Sequence, residues 1–566
     1  MCVALDEEDC SDDCEEDDVS SEEEEEEEGE EEAEEAEEEE EEEEEQEDSR
    51  ELELEGLAPT PKRRKTASDN ALKLSLQSGV YPEYHGIEGP YAHLHPHHNS
   101  AFDFFQLLWP ASLVDVIVEE TNRYARAHGK PGWVDVNIEE IWTFLGIIVL
   151  MGIHRLPRVD NYWSRDHLLG IPEVRQRMAL GRFWAIWANL HVVDNNTLPP
   201  GAGLAAKIKP ILDVLGDTFI TNYSPSQELS VDEAMVKYKG RVSKGKVSMP
   251  RKPIKKGFKI WCCCCSCCGY LCTFQVYEGK PTHPVTGKKV RERGLVMRVV
   301  QELLSPFSSV NHVAYMDNFF TSGPLVEALA KDGIYTAGTI LRTASGFPEA
   351  LKKIKPPSGR YESESVGDVC YYTFNDRSLV SFVSNAFPES MASRVARLPP
   401  KGNVLKYQQV PPVLPAYNHF MGAVDRLSQF RKTYGFDRKS KRYWIRPFMT
   451  FLDYAINNAW ILYKHNCKRC KVRPCELFKF RLDLVRLLLK NTRVRRRASQ
   501  SIQDSNSAGS MDVCRLMRVT SIGLSRGRCY QCVKVKRPNP RCTSFGCSNC
   551  GVRLCKIGCF AEFHEK

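Results

Sequence analysis

Three aspartates in this 566-residue chain stand where an acid needs a reason. Asp232 interrupts the otherwise apolar strand pattern of Glu228–Val236, where a charge is costly unless it is paired or bound to metal. Asp317 falls where the apolar run Val313–Met316 ends and Asn318 begins a turn. Asp425 lies among Met421, Val424 and Leu427 in a helical pattern. Two strand acids and one helix acid can meet across a sheet, and a carboxylate cluster is the usual way to hold Mg²⁺ for phosphoryl transfer. Taken singly, a strand-end Asp is ordinarily a cap or turn residue, so spacing alone leaves both readings open.

The thiols form a second chemistry. Seven of the 22 cysteines lie in the last 38 residues, in the order Cys529-x2-Cys532-x9-Cys542-x4-Cys547-x2-Cys550-x4-Cys555-x3-Cys559-x4-His564. Two Cys-x2-Cys knuckles with further Cys and His give the spacing of tetrahedral zinc ligands. Eight ligands fit two zincs in an interleaved, RING-like arrangement, and a one-zinc site using fewer cysteines is the alternative. So few large apolar residues occur there that metal must replace a core. Cys467-x2-Cys470-x4-Cys475 has a knuckle without clear partner ligands and reads as non-metal. The run Cys262–Cys265, followed by Cys267 and Cys268, reads as small buried apolar residues. Neighbouring cysteines on a strand alternate faces and chelate poorly; soft-metal binding or oxidation are the other readings.

Charge is divided along the chain. Residues 1–56 hold 36 acidic side chains and one basic, Arg50, leaving 40 acidic and 75 basic over 57–566. The tail reads as disordered and solubilising, or as a DNA-mimicking arm that shields the basic body or binds histones or other basic proteins. Pro61-Lys62-Arg63-Arg64-Lys65 in the following linker suits a nuclear-import receptor. In the body, Arg251, Lys252, Lys255, Lys256 and Lys259 accompany Phe258 and Trp261. Arg438, Lys439, Lys441, Arg442 and Arg446 accompany Phe436, Tyr443 and Trp444. Cations beside aromatics suit phosphates and bases, so both clusters are expected to contact DNA.

The surrounding elements must position these groups. A 42% hydrophobic fraction supports a core, no apolar run is long enough for a membrane span, and Met1–Cys14 has no signal-peptide core. The chain is therefore expected to be intracellular, with its thiols reduced. Ile87–Asn195 reads as mostly helical, with Ile138–Leu150 a buried core helix, and Tyr443–Leu489 is a second helical block. Between them lie strand candidates Leu229–Val236, Phe258–Trp261, Tyr270–Tyr277 and His312–Met316. The Pro-, Gly- and Ser-rich segment 344–411, with strands Val369–Phe374 and Leu379–Val383, reads as an insertion or smaller subdomain.

Several segments together resemble the piggyBac family of cut-and-paste DNA transposases. They are TNRYA (Thr121–Ala125), LGIIVLMGIHRLP (Leu145–Pro157), NYWS (Asn161–Ser164), MPRKPIKKGFKIW (Met249–Trp261), DNFFTS (Asp317–Ser322), YNHFMGAVD (Tyr417–Asp425) and the C-terminal Cys/His cluster, in the family's order. The resemblance implies an α/β fold with a ribonuclease H-like catalytic core, and places Asp232, Asp317 and Asp425 on the family's three essential aspartates, using Mg²⁺ or Mn²⁺. Composition gives a disordered acidic tail and basic linker over 1–83, and the resemblance further implies a helical dimerisation and DNA-binding domain over 84–226 and 435–495. The core would span 227–343 and 412–434 around the insertion 344–411, with a linker over 496–524 and a zinc-binding module over 525–566 that meets transposon-end DNA.

The implied activity cuts one strand at a transposon end with water. The freed 3′-OH then attacks the opposite strand to form a hairpin, which is later opened, and joins target DNA at TTAA. The implied partners are double-stranded DNA and a second copy of the chain, in the nucleus, with no membrane. Ser428 replaces an acid often found in the family, and Gly338-Thr339 leads into Ile340-Leu341-Arg342 rather than the usual Arg and Asn-basic pair. These departures, with the cysteine run and the acidic tail, leave a second reading. It is a domesticated, transposase-derived DNA- or chromatin-binding protein with reduced or no catalysis.

Overall fold

The computed structural model describes residues 82–490 apart from short stretches, the longest being 281–291 and 398–405, and parts of 516–559. The acidic tail, the basic linker with Pro61–Lys65, Arg251, Lys439, Cys550 and His564 lie outside the described residues. The chain divides into a body up to Arg495 and a C-terminal unit from Arg496.

The first part of the body is helical, as the apolar spacing predicts. Helices α1 (Ala101–Gln106), α2 (Ala111–His128), α3 (Ile138–Ile153), α4 (Leu180–Asn189) and α5 (Lys209–Asn222) build it. Ser100 and Asp103 cap α1 reciprocally: each side chain accepts from the other's backbone N–H. Helix α3 is buried on every side from Ile141 to Gly152.

A nine-stranded sheet follows. Its strands are β1 (Glu228–Lys237), β2 (Lys246–Ser248), β3 (Lys256–Cys265), β4 (Leu271–Val276), β5 (His312–Met316), β6 (Ile334–Thr339), β7 (Tyr361–Val366), β8 (Val369–Asn375) and β9 (Leu379–Ser384). The order is β2-β3-β1-β5-β6-β9-β8-β7, with β4 also paired to β3. Strands β1, β3 and β4 are antiparallel to their neighbours in this trio, whereas β5 pairs parallel to β1 and β6 parallel to β5. Parallel neighbours need crossovers. Helix α6 (Leu295–Leu304) lies in the connection from β4 to β5, and α7 (Gly323–Lys331) in that from β5 to β6.

Two expectations change here. The strand expected at Phe258–Trp261 runs on to Cys265, because Cys262–Cys265 pair with Leu229–Asp232 and act as small buried side chains. The segment 344–411 also contributes to the main sheet: β9 pairs antiparallel with β6, and β8 and β7 extend the edge. Its Tyr372, Phe374 and Phe382 share a core with Val313 and Tyr315 of β5.

The chain returns through α8 (Val413–Phe420), α9 (Ala423–Tyr434), α10 (Ile445–Arg469) and α11 (Leu477–Lys490). Helix α11 packs on α3 at Gly146, where an added Cβ would meet Leu488 Cβ at 2.8 Å. Fully buried Arg481 of α11 donates to Asp453 (2.9 Å) and Asn457 (3.0 Å) of α10. Asn458 of α10 makes a two-way hydrogen bond with the Leu271 backbone, 2.9 Å in each direction, so a helix side chain completes the free edge of β4. Among the described residues no helix is long and apolar enough to cross a membrane.

In the C-terminal unit, Leu516–Arg518 pairs antiparallel with Phe545–Cys547, and Gly527–Arg528 with Cys542–Thr543. Leu516–Arg518 was expected within a linker; its ladder with Phe545–Cys547 carries the unit back past the expected start at 525. Cys529, Cys532, Cys547, Leu554, Cys555 and Cys559 are its buried centre.

Candidate active site

Strand register assembles the first two acids. The parallel ladder pairs Val231 of β1 with Met316 of β5, so the next residue on each strand is Asp232 and Asp317. Adjacent strands lie about 4.8 Å apart, which puts two carboxylates side by side where β5 ends. The strand's alternation then brings in the third. Ser230 shares a face with Asp232, and its hydroxyl donates to the carbonyl of Met421 at 2.6 Å, one helical turn before Asp425. Asp425 is exposed in the first turn of α9, which packs on β1 and β3.

Local bonds hold the strand acids. Asp232 Oδ1 accepts from the N–H of Glu233 at 2.7 Å, and Asp317 Oδ1 from that of Phe319 at 3.0 Å. The Asp317 carbonyl accepts from Thr321 Oγ1 at 2.7 Å, closing the turn of DNFFTS.

The electrostatics are those of a site short of positive charge. Burial pushes Asp232 up to about 7, against the pull of Lys252, with Glu233 and Asp317 adding to the rise. Burial and the Glu233 carboxylate likewise raise Asp317. Lys252 Nζ lies 3.1 Å from Glu233 Oε1 and 3.7 Å from Asp232 Oδ1. Burial works against the Lys252 ammonium, but Asp232, Glu233 and Asp425 together keep its pKa above the ordinary lysine value. Glu233 Oε2 is buried without a hydrogen-bond donor, with Lys259 Nζ 3.8 Å away. Unmet acceptor capacity beside paired carboxylates fits a divalent cation held by oxygen ligands.

Sequence reasoning missed Glu233 and the role of Lys252 here. The signal was an acidic pair, Asp232-Glu233, inside a strand, with lysines two dozen residues on in the antiparallel partner region. Tyr417 was also not singled out. Its hydroxyl lies 3.4 Å from Thr339 Oγ1, and burial, with Asp317 and Asp232 contributing, pushes it up to about 12.

The basic clusters divide. Lys255 and Lys256 are exposed. Lys259 is buried, stacked 4.1 Å over the Phe319 ring and lowered in pKa by burial, so it is committed to the protein. Arg442 donates to the carbonyls of Trp187, Ala188 (3.3 Å) and Leu190 (3.2 Å) at the end of α4, and burial pushes it down to about 10. Arg438 donates to the carbonyls of Pro157 (2.6 Å) and Leu156. Donors of Lys259, Arg438 and Arg442, expected to meet phosphates, are engaged within the protein, by helix-end and loop carbonyls or by a carboxylate and a ring. Lys441 is exposed.

In the C-terminal unit the sulfurs of Cys529, Cys532, Cys555 and Cys559 all lie within 4.8 Å of one another. Cys532 Sγ is 3.8 Å from Cys555 Sγ and 3.4 Å from Cys559 Sγ. A tetrahedral Zn–S₄ centre with bonds of about 2.3 Å spaces its sulfurs about 3.8 Å apart. The Cys555 N–H donates to Cys529 Sγ at 3.3 Å, as a knuckle amide does to a metal thiolate. Among the described residues the first and last cysteine pairs therefore meet, and Cys547 is not part of that cluster. Cys547 is buried, and Cys542 is described by its backbone alone.

Residues 100–460 match the family model described as Transposase IS4. The chain is 27% identical over 476 residues to human PiggyBac transposable element-derived protein 3, covering 82% of this chain and 76% of that protein. It is 28% identical over 386 residues to human PiggyBac transposable element-derived protein 2, covering 66% of this chain and 63% of that one. The fold is similar to the piggyBac transposase in a synaptic complex with hairpin DNA, with a TM-score of 0.60 at 23% identity over 71% of this chain and 83% of that one.

Proposed function

Because the chain belongs to the piggyBac-type Transposase IS4 family, we propose that it is a metal-dependent DNA transposase whose catalytic acids are Asp232, Asp317 and Asp425. The observation that carries this reading is the parallel register that sets Asp232 beside Asp317, with Ser230 tying their strand to the turn before Asp425. Three antiparallel strands followed by two parallel to the first support a ribonuclease H-like core. A divalent cation, Mg²⁺ or Mn²⁺, bound by these carboxylates would activate water and neutralise charge on the leaving oxygen of a DNA phosphodiester.

The chain's own residues do the positioning. Asp232 within β1 and Asp317 just past the end of β5 hold fixed oxygens, and their backbone hydrogen bonds keep them there without using both oxygens. Lys252 supplies the resident positive charge and is placed to meet a phosphate once a cation has taken the carboxylates. Exposed Lys255 and Lys256 extend that charge outward, and half-exposed Phe319, two residues after Asp317, offers a ring against a base. The C-terminal Cys₄ cluster would hold Zn²⁺, with Cys542, Cys547, Cys550 and His564 as the second ligand set, and present basic residues to the DNA end. Action on TTAA targets, a homodimer built through the flanking helices, and a nuclear location complete the proposal.

The test is nicking of a cognate transposon-end duplex with Mg²⁺ or Mn²⁺. Asp232→Asn, Asp317→Asn and Asp425→Asn should each abolish cleavage and retain DNA binding, because Asn keeps the shape and loses the charge. Cleavage surviving in all three would remove the assignment. A wild-type chain that binds the end and never cuts it would establish the second reading, a transposase-derived DNA- or chromatin-binding protein. Ser428, one turn beyond Asp425, favours that alternative.

A further inference from the structure

The cysteine run is not uniform. Cys262 to Cys265 are all fully buried within β3, and burial holds the thiols of the first three above the ordinary value. Cys265 ends the strand, and the chain turns back at once: Gly269 N–H donates to the Cys265 carbonyl at 2.8 Å, and Cys265 N–H to that of Tyr270 at 2.9 Å. Gly269 takes φ +80°, which suits glycine, so the turn is specified locally. It presents Cys265 and Cys268 in Cys-x-x-Cys spacing.

The turn polarises one of these sulfurs. Tyr223 Oη lies 3.2 Å from Cys268 Sγ, 3.7 Å from Cys265 Sγ and 3.3 Å from His465 Nε2. Ser226 Oγ is 3.3 Å from Cys265 Sγ. The Cys268 thiol and then Ser226 stabilise the Cys265 thiolate and bring it down to about 5 against burial, while burial raises Cys268. Cys267, the exposed neighbour, is unlike either. Burial of its sulfur and the Glu228 carboxylate 3.5 Å away push its thiol up to about 12. A favoured thiolate next to a protonated thiol is the arrangement that closes a disulfide.

We propose that Cys265 and Cys268 form a reversible two-electron redox pair, written by hydrogen peroxide, in the turn that braces the helix carrying Asp425. The Cys265 thiolate attacks one peroxide oxygen, the O–O bond breaks, and hydroxide leaves with the proton that Cys265 released, giving a sulfenic acid and water. The Cys268 sulfur then attacks the Cys265 sulfur, the S–O bond breaks, and the oxygen leaves as a second water with the Cys268 proton. Two thiols are oxidised to one disulfide, and peroxide is reduced to two waters. A low-molecular-weight dithiol reverses the reaction. The bracing contact is the Arg426 guanidinium, which donates to the Ser266 carbonyl inside the turn and adjoins Asp425. Closing the disulfide fixes the turn and thereby the first turn of α9.

The experiment uses the full chain. After brief treatment with hydrogen peroxide, remaining thiols are alkylated under denaturing conditions and the tryptic peptide 260–288, with its seven cysteines, is mapped by mass spectrometry. The expected result is loss of two hydrogens, with Cys265 and Cys268 spared alkylation and Cys262, Cys263 and Cys264 modified. Dithiothreitol should restore all seven thiols. Cys268→Ser should stop at a sulfenic acid on Cys265 that dimedone captures, and Cys267→Ser should leave the disulfide intact. Full alkylation after peroxide, or a bond through Cys267, would overturn the pair. Amide exchange over Ala423–Tyr434 should differ between the oxidised and reduced chain; identical exchange would overturn the bracing. Neither readout depends on DNA cleavage, so the pair and the proposed function fail separately.

Discussion

At the scale of single residues, the candidate site is a problem in uncompensated charge. Asp232 and Asp317 sit side by side with Glu233 close by, and one ammonium, Lys252, reaches toward two of these carboxylates. In the absence of metal Asp232 keeps its proton until about pH 7. A cation must displace that proton, so affinity follows the ionised fraction. Binding of Mn²⁺, read by calorimetry, should strengthen roughly tenfold per pH unit below about 7 and level off above it. The unfolded chain ionises this acid near pH 4 while the folded chain still holds its proton. In chelator, Asp232 therefore lowers stability as pH rises from about 4 to 7, and added Mn²⁺ should raise the melting temperature most at the upper end. A flat pH profile of Mn²⁺ affinity between pH 5.5 and 8 would remove Asp232 from the ligand set.

At the scale of elements, the site depends on helices that come from both ends of the body. Helix α3 precedes the sheet in sequence and α9, α10 and α11 follow it, yet they share one core. Gly152 at the end of α3 approaches the backbone at Tyr434, where an added Cβ would collide with the carbonyl. Because the obstacle is backbone, Gly152→Ala should destabilise the body by about 1–3 kcal/mol, seen as a lowered thermal midpoint. Arg481 is fully buried against Asp453 and Asn457. Arg481→Met should lose about 3–5 kcal/mol, since it strips the cation from a buried carboxylate, whereas the double change Arg481→Met with Asp453→Leu should recover most of that loss. Equal melting of the single and double variants would show that the pair is not what ties α11 to α10.

At the scale of the whole molecule, two regions act through charge and metal. The C-terminal unit buries chiefly cysteines. It should therefore melt on removal of metal while the body keeps its own transition, which differential calorimetry with and without a strong chelator would separate. Metal analysis should return two zincs per chain, falling to one in Cys555→Ser. A folded unit after complete zinc removal would contradict the structural role of the metal. Residues 1–56 carry a net charge of −35 against +35 on the remainder. Deleting them should raise non-specific DNA affinity and steepen its salt dependence, because the body loses an intramolecular competitor for its cations. Equal salt slopes with and without the tail would leave it as a solubilising segment.

Much of this was legible in the sequence, because local patterns have local causes. The buried helix at Ile138–Leu150 and the strands at Leu229–Val236 and His312–Met316 follow from apolar spacing, and the cysteine spacing already pointed to metal. The three aspartates were each visible as anomalies, although only the family resemblance joined them. Tertiary structure decided which groups face one another. The Asp232–Asp317 pairing is a matter of register between strands 85 residues apart, which no local pattern encodes. The same holds for the cations. Lys255 and Arg442 read alike in sequence, but one is open to solvent while the other is spent on the carbonyls that end α4. The strands of 361–384 read as a separate insertion because Pro, Gly and Ser surround them. They join the main sheet because β6 offers an unpaired edge and a backbone ladder satisfies it.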